Sequence, residues 1–415
     1  MLLKSFSVEG LYGTFDYTLD FSKGSNLMVL TGLNGYGKTT ILRILSCISN
    51  KDDLFYLYEI PFSTIKVTFD SGTRLVVAKI NSKKIIGGDE ETDELEDTRL
   101  SYYRGNKLIY KYEIDYSKYR SSGYYEKNRR RDSDRGIDEF DNYRWLSYRR
   151  HDDENIEKLV MNLSLLNTTF IRSQRLYNED GEGVSHRTIN EVSEKMKEKL
   201  SVAYYNYLDN AQKLDGHQID DLLSDNTPLL SEEEYRVKAK EISELASELL
   251  TYNLLPQLQI RPYNPSKAPI SSVYINTLGK KLEAYDDIRK KLKLYLHLLN
   301  NKEFVNKRFG FSRNEGLRVL LKTGGVLKDL TKLSSGEQNE IFLLYKFIFD
   351  APEKSVLLID EPELSLHVAW QLQFIKDIKQ IAKTREIQII IATHSPEIVS
   401  ESIDECVDLT EMANS

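Results

Sequence analysis

Nine consecutive residues, Gly32-Leu33-Asn34-Gly35-Tyr36-Gly37-Lys38-Thr39-Thr40, constrain this chain more than any other stretch. They follow the apolar run Leu27-Met28-Val29-Leu30 and precede the helical stretch Ile41-Leu42-Arg43-Ile44-Leu45. The spacing is G-x-x-x-x-G-K-[ST], set between an expected strand and an expected helix. Glycines let the backbone curl, so that N–H groups along Asn34, Gly35 and Gly37 aim at phosphate oxygens. The following helix adds its positive N-terminal dipole. In such a loop Lys38 reaches the β- and γ-phosphates, the Thr39 hydroxyl ligands Mg²⁺, and Thr40 lines the same turn. A glycine-rich turn that happens to precede a lysine is the plainer alternative, and the strand–loop–helix setting argues against it.

At 415 residues the chain is long enough for about two to three domains. Its formal net charge of −7 argues against nucleic-acid binding driven by overall charge, though a local basic face stays open. Two cysteines, Cys47 and Cys406, form neither a disulfide framework nor a metal-ligand cluster, and fit a reducing cytoplasm. The N-terminus lacks the apolar core of a signal peptide. No run approaches the ~18–20 apolar residues of a membrane span. The expectation is therefore a cytoplasmic protein with no membrane partner.

Along the chain, Leu3 to Val8, Phe15 to Phe21 and Leu27 to Leu30 read as strands. Ile65–Phe69 and Arg74–Ala78 flank the turn Asp70-Ser71-Gly72-Thr73 as a hairpin. Asp89 to Asp97 holds seven acids and is expected to be a solvated loop. Lys118 to Arg150 carries ten Lys/Arg against six Asp/Glu, interleaved with Tyr119, Tyr124, Tyr125, Tyr143, Trp145 and Tyr148. Such a mixture suits phosphate contacts with base stacking, a protein interface, or an insertion with no partner, and composition leaves all three open. From Arg187 to Asn300 the pattern is helical: Ile189, Val192, Met196, Leu200, Ala203, Tyr207 and Ala211 recur at spacings of three and four. A second stripe runs Leu278, Leu282, Tyr285, Ile288, Leu292, Leu296 and Leu299, with an amphipathic helix at Glu232 to Leu250 between them. Helix-bundle core is favoured over exposed coiled coil for these stripes. Four prolines between Pro256 and Pro269 mark an irregular connection. After Phe304, Leu317–Leu321 and Val326-Leu327 flank Thr323-Gly324-Gly325 as another hairpin. Buried strands at Ser355–Ile359 and Ile387–Ala392, with a helix from about Leu366 to Lys383 between them, argue for a parallel sheet covered by helices.

Three further elements carry chemistry. The strand Val356–Ile359 ends in Asp360-Glu361-Pro362. Asp360, at the C-terminal edge of a parallel sheet, is placed to hold Mg²⁺, and Glu361 to orient or deprotonate an attacking water. The plain alternative is a strand-end turn, since this tripeptide also starts helices well. Ile387–Ala392 ends in Thr393-His394-Ser395, and His394 is placed there to contact a γ-phosphate. Leu333-Ser334-Ser335-Gly336-Glu337-Gln338 precedes a helix; it reads as an anion site at a helix N-terminus, as an N-cap, or as both.

Together these motifs resemble the ABC-type ATPase heads of the RecF/SMC/Rad50 class, and in particular the ATPase part of OLD-like anti-phage proteins. The run Glu361-Pro362-Glu363-Leu364-Ser365-Leu366-His367-Val368 carries the second resemblance. The match covers residues 1 to about 80 and about 310 to 405. It implies an α/β fold: an N-terminal antiparallel part plus a parallel sheet with flanking helices, and an inserted helical subdomain. It also implies ATP and Mg²⁺ as cofactors, with Lys38, Glu361 and His394 in the catalytic set. Asn34, Gly35, Gly37, Lys38, Thr39, Thr40, Gln174, Ser334, Gly336 and Asp360 would bind nucleotide, and Thr39, Asp360 and Gln174 the metal. In such heads the Leu-Ser-Ser-Gly segment closes on the γ-phosphate of a second subunit. Ser334 and Gly336 would then act in trans within a homo-oligomer, at least a head-to-tail dimer. Gln174 is the expected glutamine between the lobes. Ser335, Glu337, Val368 and the Ser365-Leu366-His367 segment depart from the usual pattern, which leaves communication between subunits open.

The expected domains are 1–176, an ATPase lobe with an insertion at about 87–150; 177–305, a helical insertion; and 306–415, the second ATPase lobe. About 130 residues separate Gln174 from the returning strands, too few for the arm of Rad50 or SMC. Only 21 residues follow His394 (415 − 394), too few for a Toprim nuclease. The expectation is a stand-alone ATPase similar to the AriA component of PARIS or the PtuA component of Septu. It would act as a nucleotide-gated sensor or scaffold for a separate effector protein, a Toprim or HNH nuclease. A DNA-repair ATPase of the RecF/Rad50 kind, with nucleic acid as partner, is the alternative.

Overall fold

The computed structural model describes residues 1–22, 26–49, 54, 56–85, 92–114, 154–171, 187–223, 229–302, 304, 306–366 and 368–414. It divides into two compact units, one formed by Met1–Gly183 with Asp350–Ser415, the other by Val184–Phe349.

The first unit contains two sheets. The antiparallel one has the order β2-β1-β4-β5-β6-β7. Its strands are β1 (Leu3–Leu11), β2 (Phe15–Asp20), β4 (Thr64–Phe69), β5 (Thr73–Ile85), β6 (Thr92–Arg104) and β7 (Lys107–Ile114). Alternation of buried and solvated positions along β4 matches a sheet with one face packed on a core. The β4–β5 hairpin turns at Asp70–Gly72 as its sequence predicts. The expected acidic loop does not hold: Thr92–Asp97 extends β6, and the register sets Asp93 against Lys84 and Glu94 against Lys83. Pairing with β5 gives the backbone N–H and C=O groups of this segment a ladder. Asp89 to Glu91, Lys118 to Arg150 and Gln174 lie outside the described residues.

The second sheet is wholly parallel, in the order β13-β3-β12-β11-β8. It contains β3 (Leu27–Thr31), β8 (Thr168–Ile171), β11 (Val356–Asp360), β12 (Gln388–Ala392) and β13 (Cys406–Asp408). β11 and β12 are buried at every position, as their continuous apolar runs require. The helix Lys38–Ile48 buries Ile41, Leu42, Ile44, Leu45 and Ile48 in one apolar cluster. That cluster also takes in Phe6, Val8, Ile65 and Val67 of the antiparallel sheet and Met28, Leu358 and Ile390 of the parallel one. Gln388 joins the two sheets by a polar route. Its Oε1 accepts from Leu3 N at 2.9 Å and its Nε2 donates to Leu3 O at 3.2 Å, as a neighbouring strand would.

The second unit is mostly helical: Arg187–Leu223, Glu232–Thr251, Ala268–Leu282, Asp286–Asn301 and Ser335–Tyr345. Of the predicted stripe, Ile189, Val192, Met196, Leu200 and Ala203 are buried, and Tyr207 and Ala211 half-buried. The stripe from Leu278 to Leu299 is split between two helices by a 3₁₀ turn at Glu283–Tyr285. Tyr285 at that turn donates to Leu254 O at 2.7 Å. Pro269 stands in the first turn of its helix rather than in the irregular connection, because a first-turn N–H has no intrahelical partner to lose. The expected turn at Thr323–Gly325 is present: Val326 bridges Leu320 in antiparallel sense, Leu321 N donates to Gly325 O at 3.1 Å and Leu327 N to Val319 O at 2.8 Å, while β10 (Gly316–Leu321) also pairs with β9 (Lys307–Ser312). β9 brings Phe309 and Phe311 into the core. Lys302 and Glu340 form an ion pair whose side chains are 1% and 2% exposed.

Candidate nucleotide-binding site

The loop after β3 turns through backbone that favours glycine. Gly32, Gly35 and Gly37 have φ of 131°, 87° and 83°. At Gly37 a Cβ would also come within 3.0 Å of Leu11 Cδ2. Lys38 opens the helix and folds back over the loop, its Nζ donating to Gly32 O at 2.8 Å and Leu33 O at 3.0 Å. Burial pushes the lysine pKa down, while the carboxylates of Glu361, Asp360, Asp408 and Glu363 push it back up. The adjacent turn of helix is held by Tyr12, whose hydroxyl lies 2.7 Å from Thr40 Oγ1. Tyr17 donates to Tyr36 O at 2.9 Å.

β11 brings Asp360 to the same place. Thr39 Oγ1 donates to both carboxylate oxygens of Asp360, at 3.0 and 3.2 Å. Asp360 is buried at the C-terminal end of its strand. Glu361 follows with φ 46° and ψ 58°, left-handed backbone that is rare for glutamate, and its N–H donates to Ala392 O at 2.8 Å. Strain of this kind persists where the surroundings over-determine it and clusters at functional sites.

The turn after β12 lies alongside. Thr393 N donates to Leu30 O at 3.1 Å, carrying the sheet contact one residue further. His394 is exposed at this edge. Ser334 and Gly336 stand at the start of the Ser335–Tyr345 helix, in the second unit. Ser334 accepts from Glu337 N, and the Glu337 carboxylate accepts from Ser334 N, a reciprocal cap. Asn34 and Gly35 are exposed at the loop tip.

The donor set fits a hard cation with phosphate ligands. A hydroxyl and a carboxylate meet beside a loop of backbone N–H groups. Among the described residues no group of three or more His, Cys, Asp or Glu could hold a metal unaided. Mg²⁺ at nucleotide sites is held in this way, by one or two protein oxygens with phosphates and water.

A model described as an AAA ATPase domain matches residues 1–399. The chain belongs to this AAA ATPase domain family. Its α/β architecture, an antiparallel sheet and a parallel sheet with flanking helices, is the expected one. Protein ea59 of Escherichia phage lambda is 33% identical over 82 residues, 20% of this chain and 16% of that protein. The cobalamin import ATP-binding protein BtuD of Halobacterium salinarum is 30% identical over 105 residues, 24% of this chain and 26% of that protein. The chain thus spans less than a third of the length of the curated relatives it matches. The Smc head domain from Pyrococcus furiosus, bound to the C-terminal domain of ScpA, overlays on 96% of this chain and 91% of its own. Its identity is 15% and its TM-score 0.35, too low to bear on the reading. No helix among the described residues is long and apolar enough to cross a membrane.

Two parts of the site escaped the sequence reading. Glu363 reaches across to the turn after β12: its Oε2 accepts from Thr393 Oγ1 at 2.8 Å and its Oε1 from His394 N at 2.6 Å. Its only signal was its place in Glu361-Pro362-Glu363. Thr410 accepts from Leu33 N at 3.0 Å, and Asp408 Oδ1 accepts from Thr410 N at 2.7 Å. These lie beyond the last recognisable motif, and no spacing announced them.

Proposed function

We propose that this family member is an ABC-type ATPase head of the SMC/Rad50 class that binds ATP with Mg²⁺ and hydrolyses it slowly. The observation that carries the reading is the meeting of Thr39 with Asp360 beside a glycine-turned loop ending in Lys38. Thr39 and Asp360 would hold Mg²⁺, which when bound neutralises charge on the β- and γ-phosphate oxygens. Lys38 would exchange its two loop carbonyls for phosphate oxygens. Asn34, Gly35, Gly37 and Thr40 line the cradle. Glu361 would orient the attacking water and accept its proton, and His394 would contact the γ-phosphate. Phosphoryl transfer of this kind depends on positioning and electrostatics, which rigid strand ends supply. Gln174 remains the proposed lobe glutamine, as nucleotide and metal ligand.

Ser334 and Gly336 would complete the site of a second copy, making the working unit at least a dimer. The output would be control of a separate effector protein, a nuclease or toxin of an anti-phage system, held or released according to nucleotide state. Such control needs the effector to bind the two states with different affinity. The supporting features are the resemblance to OLD-like proteins and the large helical unit. The test is ATP turnover by the purified chain, with capture of the neighbouring gene product by wild type and Glu361→Gln. Nucleotide-independent capture would reject the gating. DNA binding that falls steeply with salt would favour the repair reading instead.

A further inference from the structure

Three acids stand at the end of β11 and in the turn after it, Asp360, Glu361 and Glu363, and the proposed reading uses the first two. Asp360 faces Thr39, and Glu361 is the proposed water-positioning group. Glu363 has no role in that scheme, yet it makes the most direct link between the turns after β11 and β12.

Resting on the ATPase reading, we propose that Glu363 is a positioning residue for hydrolysis, acting through His394. Both of its oxygens are engaged by consecutive residues: Oε1 by the His394 N–H at 2.6 Å, Oε2 by the Thr393 hydroxyl at 2.8 Å. Bonds from N–H groups to a carboxylate are shorter and roughly twice as strong as those between neutral groups. The Thr393 hydroxyl also accepts from Ser395 N at 3.0 Å, so one side chain fixes the backbone on both sides of His394. A parallel brace runs behind it. Ser395 Oγ donates to Gln371 Oε1 at 2.8 Å, and Gln371 Nε2 donates to Leu366 O at 3.1 Å. The His394 ring alone in this turn is exposed, while Thr393 and Ser395 are buried. The geometry fixes a backbone and leaves one imidazole free to face a ligand. Glu363 itself sits on the 3₁₀ turn Pro362–Ser365, which starts at the left-handed Glu361. Through this link the backbone carrying the proposed base and the backbone carrying the proposed γ-phosphate contact are set by one carboxylate.

The test is a cycle of Glu363→Ala, Glu363→Gln, His394→Ala and Glu363→Ala/His394→Ala, read as kcat, KM for ATP and thermal midpoint. Misplacing a reacting group by about 1 Å costs about 100-fold, so Glu363→Ala should lower kcat roughly 10- to 100-fold. KM should stay within about twofold, because the phosphate loop is untouched. Glu363→Gln keeps one acceptor for the His394 N–H and should recover part of the loss. In the His394→Ala background, Glu363→Ala should cost less than about twofold more, the coupling expected of groups acting as a unit. Effects that multiply, a change confined to KM, or an unchanged kcat in Glu363→Ala would overturn the proposal. Should Glu363→Ala fail to fold, the Gln variant in both backgrounds decides by the same criteria. Wild-type protein without ATP turnover would instead overturn the ATPase reading on which the proposal rests.

Discussion

Thr39 and Asp360 stand 321 positions apart in the chain, and the hydroxyl of the one donates to both carboxylate oxygens of the other. The contact joins the first turn of the helix after the phosphate loop to the end of a strand laid down near the other end of the sequence.

Lys38→Ala should abolish ATP binding and leave the fold in place. Its ammonium bonds only two carbonyls of its own loop here, so little tertiary structure depends on it. Affinity should fall by about 100-fold or more, about 2.7 kcal/mol. Equilibrium binding of a fluorescent ATP analogue measures it, with the thermal midpoint as control. Unchanged affinity would remove Lys38 from the site.

Glu361→Gln should bind ATP and lose turnover. Positioned general bases contribute roughly 10²–10⁴-fold, and a loss in kcat of that size is expected. The variant should accumulate an ATP-bound assembly, visible by light scattering. Full turnover would exclude Glu361 as the base.

The lysine also sets a pH dependence. Burial lowers its pKa, partly offset by Glu361, Asp360, Asp408 and Glu363. Phosphate binding needs the ammonium, so ATP affinity should start to fall below the pH near 10.4 at which a free lysine discharges. For the nucleotide-free fold the sign is opposite. The folded value lies below the unfolded one, the unfolded chain binds more protons between them, and stability from this group rises with pH across that window. Affinity that stays flat up to the free-lysine range would count against the site.

Ser334 caps its helix through Glu337, so a bulky substitution there confuses capping with catalysis. Ser334→Asp keeps a capping side chain and sets a negative charge where a γ-phosphate would dock. It should keep its thermal midpoint and lose turnover. Mixed with Lys38→Ala, it should regain activity in about one site in four, by random pairing of two-fold dimers. No recovery on mixing would argue that the Ser334 segment does not act in trans.

Gln388→Leu tests the joint between the sheets. It would leave both the N–H and the C=O of Leu3 buried without their present partner. Each such group costs about 1–3 kcal/mol, so a loss of roughly 2 kcal/mol or more is expected in chemical denaturation. A neutral result would show that the two sheets hold without it.

Sequence alone determined the parts of this protein whose signals are local. The glycine spacing before Lys38, the apolar runs of β3, β11 and β12, the turn between β4 and β5, and the stripe from Ile189 to Ala203 each follow from backbone sterics or from a period of two or 3.6 residues. The acids at the end of β11 were legible because a strand fixes where its last residues emerge. Tertiary structure decided what depends on which elements become neighbours. β10 paired with β9 as well as with Val326, burying Phe309 and Phe311, and Thr92–Asp97 paired as strand with β5. Glu363 met Thr393 and His394 only when β11 and β12 lay side by side, and Thr410 reached Leu33 only when β13 added to the edge beside β3. Those bonds are single side chains spanning 31 and 377 positions. No period or spacing encodes such a contact, because its energy appears only after the intervening chain has been folded back.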